Sequence, residues 1–378
     1  MIVRRAPGLL VIASCLLPAA CGHGEAFTRT EIPPNPVLDP LPPRRLTFSS
    51  EGDWSPAWLP DGSAIGYSYF VWGRTDRDRC LGFLPPEGGR ISRSICVRAD
   101  NDLDTANAVS FHAVSPGGRL ALVADAGLSR LFAPNARSLY LGRLDGDSGP
   151  RPVLEFPRLV ATGQVHYTAT NLVWLNETTL IYLATFANYV EEKIGVPGDT
   201  VLLPIEMVRL DLEGDSVAAQ TIIPGSLGMS SICLGTRPNT VAFTRGASGL
   251  VSEYDFTTGQ ITPLYDFDTL GIAREVQIAG GRLVAIVGGR VTHVPSNPLF
   301  GFPFLADSGG PVYAVDLPSG APRLVADTVG EHQFRRPALA PSGRRVVVEE
   351  YGFEFKNFAG EIRRVVSKQA DLWMFEVP

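Results

Sequence analysis

Apolar and polar residues alternate along most of this chain in short runs broken by Gly, Pro, Asn and Asp. A period of two puts every second side chain on one face of an extended segment, which marks half-buried strands rather than helices. The clearest run is residues 44–70, RRLTFSSEGDWSPAWLPDGSAIGYSYF. It reads as two short strands, a tight turn at Pro60-Asp61-Gly62, and a further strand of alternating apolar residues.

The strand–turn–strand half of that run recurs at residues 110–126, 171–186, 231–246, 275–289 and 336–351, each turn holding Gly, Asn or Pro. That makes six copies. A third strand and a closing turn follow each copy, as in SLYLGRLDGD at 138–147 and PVYAVDLPSG at 311–320. An outer fourth strand follows only five times, at 90–97, 151–156, 217–223, 260–265 and 321–327. The sixth unit ends on its third strand, so one outer strand is missing. Residues 44–49 have the same basic-then-apolar character as the other five and are the evident donor. The expected fold is therefore an all-β, six-bladed β-propeller over residues 44–378, its ring closed by strand 44–49 pairing with the C-terminal blade.

With these residues in view, the chain resembles the TolB-type six-bladed propellers. Their repeat carries a leading Leu-Thr, a Pro-Ala-Trp-Ser-Pro-Asp-Gly turn and a following apolar strand. The match is good at 44–70 and again at PALAPSGRRVVVEEY with its later Asp-Leu-Trp, and the middle four units are degenerate. Leu59 stands where the family has Ser, and Gly117 and Ser342 stand where it has Asp. The resemblance implies an envelope-associated scaffold whose funnel or top face binds a protein or a small ligand. Four stretches make the blades longer than compact propeller repeats of ~40–45 residues: 100–109, 187–200, 292–307 and 353–366. Scaffolded folds bind through such loops, so a ligand is expected there.

The N-terminus adds location. Two positive charges and an apolar run to Leu17 form an export signal too short to span a bilayer. Small residues precede both Cys15 and Cys21, resembling the lipobox of bacterial lipoproteins. Cys15 has the better aliphatic position. Cys21 gives the more normal signal length and is preferred. Residues 1–21 are then a lipoprotein signal peptide and residues 22–43, ending EIPPNPVLDPLPP, a stiff proline-rich tether. A diacyl anchor would hold the propeller at a membrane surface, in the periplasm or on the outer surface. With 378 residues, 39 Gly, 31 Pro and a net charge of -6, the chain can bury a core but has no basic stripe for nucleic acid. A monomer bound to an envelope protein or small ligand is expected.

Candidate chemistry changes this little. Residues 307–312, DSGGPV, resemble the nucleophile motif of chymotrypsin-like proteases, but no matching histidine segment precedes them. They read better as the approach to a third strand. No two of the five histidines stand at a metal-ligand spacing, and no Cys-x-x-Cys occurs. His112, on a first strand, is expected to be packed, facing the axis or a neighbouring blade. Cys80 and Cys96, on adjoining strands of an exported chain, are expected to form a disulfide, and Cys233 to lie in the core. Asp100 to Asp104 lack the glycine and distal glutamate of a calcium loop. The Phe300, Phe302 and Phe304 repeat reads as core or as an exposed apolar patch. No catalytic residue, metal or cofactor is assigned. The alternative to a non-enzymatic scaffold is a metal-dependent propeller hydrolase or lactonase with carboxylates at the central tunnel. First strands that present Ala57, Ala113, Val173, Ile232 and Ala338 to the axis count against it.

Overall fold

The computed structural model describes residues 43–378 except 49–51, 71–78, 98–108, 126–136, 147–148, 157, 160–163, 189–204, 247, 268, 289–291, 295–303, 307–308, 329–331 and 359–360. Cys15, Cys21, the tether, Asp100 to Asp104, and Phe300 and Phe302 lie outside the described residues. Among the described residues every regular element is a strand.

Six antiparallel sheets follow one another along the chain. Blade one is Asp53–Trp58, Ile65–Phe70, Arg79–Leu84 and Arg93–Cys96; blade two is Val109–Val114, Arg119–Asp125, Arg137–Arg143 and Arg151–Phe156. Blade three is Gln164–Asn176, Thr179–Asn188, Ile205–Glu213 and Ser216–Ile222, with Arg158–Leu159 added beside the first. Blade four is Met229–Leu234, Thr240–Arg245, Leu250–Asp255 and Ile261–Asp266. Blade five is Ile272–Ala279, Arg282–Gly288, Val312–Asp316 and Arg323–Ala326. Blade six is His332–Leu339, Arg345–Phe358, Glu361–Glu376 and, from the far end of the chain, Arg44–Arg45. Each first strand packs on the next, and the sixth returns to the first. The ring is closed.

The core is divided among the blade interfaces rather than gathered in one mass. Six wedges of buried side chains each join two neighbouring blades, for example Leu141 and Phe156 against Trp174 and Tyr182, or Val284 and Ile286 against Val346 and Phe375. Alternation supplies both faces: successive residues of a middle strand enter the wedges on its two sides. Closure uses the same chemistry. Arg44 pairs with Met374 and Arg45 with Trp373. The Leu46 amide donates to the Leu372 carbonyl at 2.7 Å, and the Leu372 amide donates to Thr47 Oγ1 at 2.9 Å. Leu46 is fully buried in the wedge between blades one and six. Asp371, itself buried, holds the Arg45 guanidinium at 2.7 Å. The pairing thus spans residues 44–47 of the expected 44–49.

Cys80 and Cys96 face each other across the third and outer strands of blade one and are disulfide-bonded, their Cα atoms 4.2 Å apart. Gly309 and Gly310 lead into Val312–Asp316, the third strand of blade five, and Gly310 also bridges to Phe334 of blade six. That is the structural role read for the DSGGPV motif, whose Asp307 and Ser308 lie outside the described residues.

Two expected loops are corrected. Residues 353–366 are not a loop: the second and third strands of blade six run on together, from Gly352 opposite Lys368 to Phe358 opposite Glu361. The period-two run Phe353-Glu354-Phe355-Lys356 already had strand character, and length alone had suggested otherwise. Within 292–307, Thr292–Val294 and Phe304–Ala306 form a two-stranded ribbon.

Strand direction now sorts the connections. First and third strands run one way, second and outer strands the other. Every first-to-second and third-to-fourth turn therefore lies at one face, the tight-turn face. Every second-to-third connection and every crossing between blades lies at the opposite one, the loop face. All four long stretches join strand ends on the loop face.

Candidate functional site

A cavity of about 480 Å³ runs down the axis, lined by the first strands of all six blades. Register divides its wall into levels. Toward the tight-turn face stand Trp58, Val114, Trp174, Leu234, Ile278 and Leu339, paired with Ile65, Leu120, Leu180, Val241, Leu283 and Val346 of the second strands. One residue further in are Ala57, Ala113, Val173, Cys233, Gln277 and Ala338. Cys233 thus takes the place expected for Ile232: it pairs with Ala242 as Ala57 pairs with Gly66, so the expected residue was one position off. Cys233 is buried, as expected, and burial pushes its thiol up to about 12, so it is a thiol and not a nucleophile at neutral pH.

Toward the loop face the wall changes character. Every first strand is bulged, with register breaks at Trp54/Ala57, Val109/Phe111, Thr170/Val173, Met229/Ser231, Ala273/Glu275 and Arg335/Ala338. Three of the bulged residues, Ser55, Asn171 and Arg336, have φ of 52°, 49° and 49°. A bulge re-aims the side chain it carries, and left-handed backbone in non-glycine residues marks positions held by their surroundings. At this level Ser55, Asn171, Ser231, Glu275 and Arg336 all border the cavity. The tunnel is apolar at one end and polar at the other.

The polar end is tied together by a carboxylate on the second strand of blade six. Glu349 is fully buried. Its Oε2 accepts from Arg335 Nε at 2.6 Å and its Oε1 from Arg336 Nη1 at 3.1 Å and from the Ser55 amide. Arg336 Nη1 also donates to Ser55 Oγ at 2.7 Å, and the Arg336 amide donates to the Glu275 carboxylate. Blades five, six and one are thereby joined at the axis. Arg335 lies over the Tyr351 ring, 4.1 Å from its centroid. Burial alone pushes the Glu349 carboxyl up, but Arg336, Arg335 and the Ser55 amide more than reverse it, so its pKa is lowered and it stays ionised. Arg335, opposed by burial, is raised by Glu349.

His112 borders the cavity one residue before Ala113 and lies against Gly66 of blade one. Burial pushes it down to about 4, with the Gly66 backbone opposing, so the ring is neutral at pH 7. Among the described residues neither of its nitrogens has a partner of full hydrogen-bond geometry, the Gly66 backbone being its nearest polar neighbour. It is packed between blades, as expected. His332 Nδ1 meets Glu350 Oε1 at 2.8 Å. His166 and His293 sit on strands whose side chains are not described, and His23 lies outside the described residues. Among the described residues no group of three or more His, Cys, Asp or Glu is placed to hold a metal ion.

Sequence reading found His112 and the disulfide but missed Ser55, Asn171, Glu275, Arg336 and Glu349. A signal was present. Aligning the copies on their turns puts Ser-Pro-Ala, Asn-Leu-Val, Ser-Ile-Cys, Glu-Val-Gln and Arg-Pro-Ala in one column, with a polar residue first in these five and Phe111 in the blade-two copy. Strict alternation hides that column, because a bulge adds one residue and breaks the period.

The fold and this tunnel define the chain as a six-bladed β-propeller. No protein-family profile matches it, and no curated protein does. Among solved structures it is similar to TolB from Acinetobacter baumannii, with 12% identity, a TM-score of 0.47, and coverage of 86% of this chain and 64% of that one. The chain therefore spans less than two thirds of that TolB. It is also similar to a gluconolactonase from Xanthomonas campestris, with 13% identity, a TM-score of 0.51 and 89% of each chain covered. An oligogalacturonate lyase in complex with manganese is similar at 13% identity and a TM-score of 0.46, over 85% of this chain and 88% of that one. At such identities the likeness is one of fold.

Proposed function

We propose that this protein is a non-enzymatic binding scaffold of the cell envelope, anchored through a lipid on Cys21, that engages an envelope protein or small ligand on its loop face. The carrying observation is the segregation of connections. Long insertions and the polar half of the tunnel share one face, while the other is closed by minimal turns. Strand direction adds support. The outer strand of blade six starts at the tight-turn face, so a tether ahead of Pro43 leaves from there and the loop face is directed away from the anchor. The tunnel's acids speak for structure: Glu349 is taken up by two arginines and the Ser55 amide, and Glu275 receives the Arg336 amide.

Crosslinking and pull-down from membranes with the full chain tests this reading. Recovery of an envelope protein through loop-face crosslinks, and release from the membrane by Cys21→Ser, are expected. Recovery of none, together with a stoichiometric metal in the purified protein, would reverse the ranking in favour of a metal-dependent hydrolase or lactonase.

A further inference from the structure

The tight-turn face carries a concavity of its own. It lies across the seam between blades one and six, holds about 600 Å³, and is lined in part by Trp58, Pro86, Glu87, Pro341, Arg344 and Glu376. Trp58 donates its Nε1–H to the Ala338 carbonyl at 3.0 Å, which fixes the indole while a minor part of its surface remains open. Glu376 is occupied by Arg345 at 2.9 Å. Arg344 is exposed and has no ion pair among the described residues. The lining combines one indole and two prolines with the Arg344 guanidinium, and of its acids Glu376 is held by Arg345 and Asp61 by the Ser63 amide and hydroxyl, leaving Glu87 at the margin.

The chain's own N-terminal segment begins at the margin of this groove. Arg44 and Leu46 flank Gly88, where a Cβ would stand 3.8 Å from the guanidinium and 3.6 Å from the leucine. Gly88 belongs to the same turn as Pro86 and Glu87. Immediately upstream, residues 33–43, PPNPVLDPLPP, hold six prolines and one acid, Asp39. Such a segment is pre-set as polyproline II, loses little freedom on docking, and fits grooves lined by aromatic rings.

We propose that the groove is the docking site of residues 33–42 of this same chain, with the Asp39 carboxylate paired to the Arg344 guanidinium. The lengths agree. Four residues of polyproline II cover about 12 Å at ~3.1 Å each. Arg344 lies in the turn between the first and second strands of blade six, two to three spacings of ~4.8 Å from the outer strand where the segment begins. Docking would lay the tether over the seam that the first and last strands close. The inference does not depend on the lipid or on a loop-face partner, so it stands or fails separately from them.

The test is a charge swap in the full chain, read by amide hydrogen exchange at residues 85–90 and 340–345. D39R and R344E should each speed exchange there about tenfold, the loss of roughly 1.4 kcal/mol of docking, and the double variant should regain protection. Exchange along Arg345–Phe358 should stay constant in all four proteins, which shows that each is folded. Equal exchange in all four, additive loss in the double variant, or protection that needs an added membrane extract would overturn the proposal.

Discussion

The two faces of this propeller are built under different constraints. On the tight-turn face, connections are minimal and bonded to their neighbours. Glu177 of blade three accepts from Ser115 Oγ at 2.7 Å and from the Gly117 amide at 2.6 Å, both in the blade-two turn. Arg282 of blade five donates to the Gly343 and Val377 carbonyls of blade six, at 3.2 and 2.7 Å. Trp58 and Trp174 stand at one level and reach back to the carbonyls of Ala338 and Ala113, equivalent residues of the preceding blades. Gly62, Gly118 and Gly343 adopt φ of 72°, 78° and 71° in three corresponding turns, a conformation costly for other residues. The loop face keeps short connections between Arg245 and Leu250, Ile222 and Met229, and Asp266 and Ile272, and also bears the long insertions, a ribbon and a projecting hairpin. Blade-to-blade stitching at one face frees the other to lengthen without opening the ring.

The largest effect is expected from the strand that touches both faces. Deleting residues 44–49 removes buried Leu46 and strips Asp371 of Arg45, and should cost on the order of 5 kcal/mol or more. An unchanged unfolding midpoint would refute the closure. Next comes an exception that lies toward the loop face: Glu349→Gln leaves two arginines facing a neutral group and should cost about 3–5 kcal/mol. Because the folded pKa of Glu349 is depressed, its contribution is complete above the ordinary value of 4.5 and is lost as pH falls through the folded value. Denaturant titrations between pH 7 and 3 should show this slope in the parent and not in the variant.

Midway down the tunnel, His112→Leu should be nearly neutral at pH 7, since leucine already fills the equivalent place at Leu172. The folded pKa of about 4 lies below the ordinary 6.5, so His112 weakens the fold progressively as pH drops between those values. The leucine variant should escape that loss, on the order of 3 kcal/mol at pH 4. Smaller again, Trp58→Phe and Trp174→Phe each remove one interblade hydrogen bond and should each lower stability by about 1 kcal/mol in equilibrium unfolding. Smallest should be a Gly-Ser insertion after Gly246 on the loop face, below about 0.5 kcal/mol. The same insertion after Gly280 should cost more, because a Cβ there would already meet the Ser342 backbone at 2.5 Å. Equal costs would erase the contrast between the faces.

Period-two alternation carried the strands, the blade count and the closing strand into view, since each depends only on which residues must be buried. Cys80 and Cys96 were legible because adjoining antiparallel strands place them opposite one another. The polar level of the tunnel was not, because Ser55, Asn171 and Arg336 sit at bulges that break the period used to find everything else. Glu349 was hidden differently. Val348-Glu349-Glu350 reads as the polar end of a strand, and only the arginines brought round from the neighbouring first strand make its burial tolerable. The hairpin at 353–366 was misread where length was weighed above alternation.

The joining of residues 44–47 to Leu372, Trp373 and Met374 also has a consequence in time. Among the described residues, a segment synthesised early is paired with one synthesised more than three hundred residues later. While the chain emerges, Leu46 and Thr47 have no partner until more than three hundred residues have followed. Bringing such distant segments together is slow compared with hairpin formation. Five blades can therefore assemble as a growing arc, and the seam between blades one and six should gain its exchange protection only in the final kinetic phase of refolding.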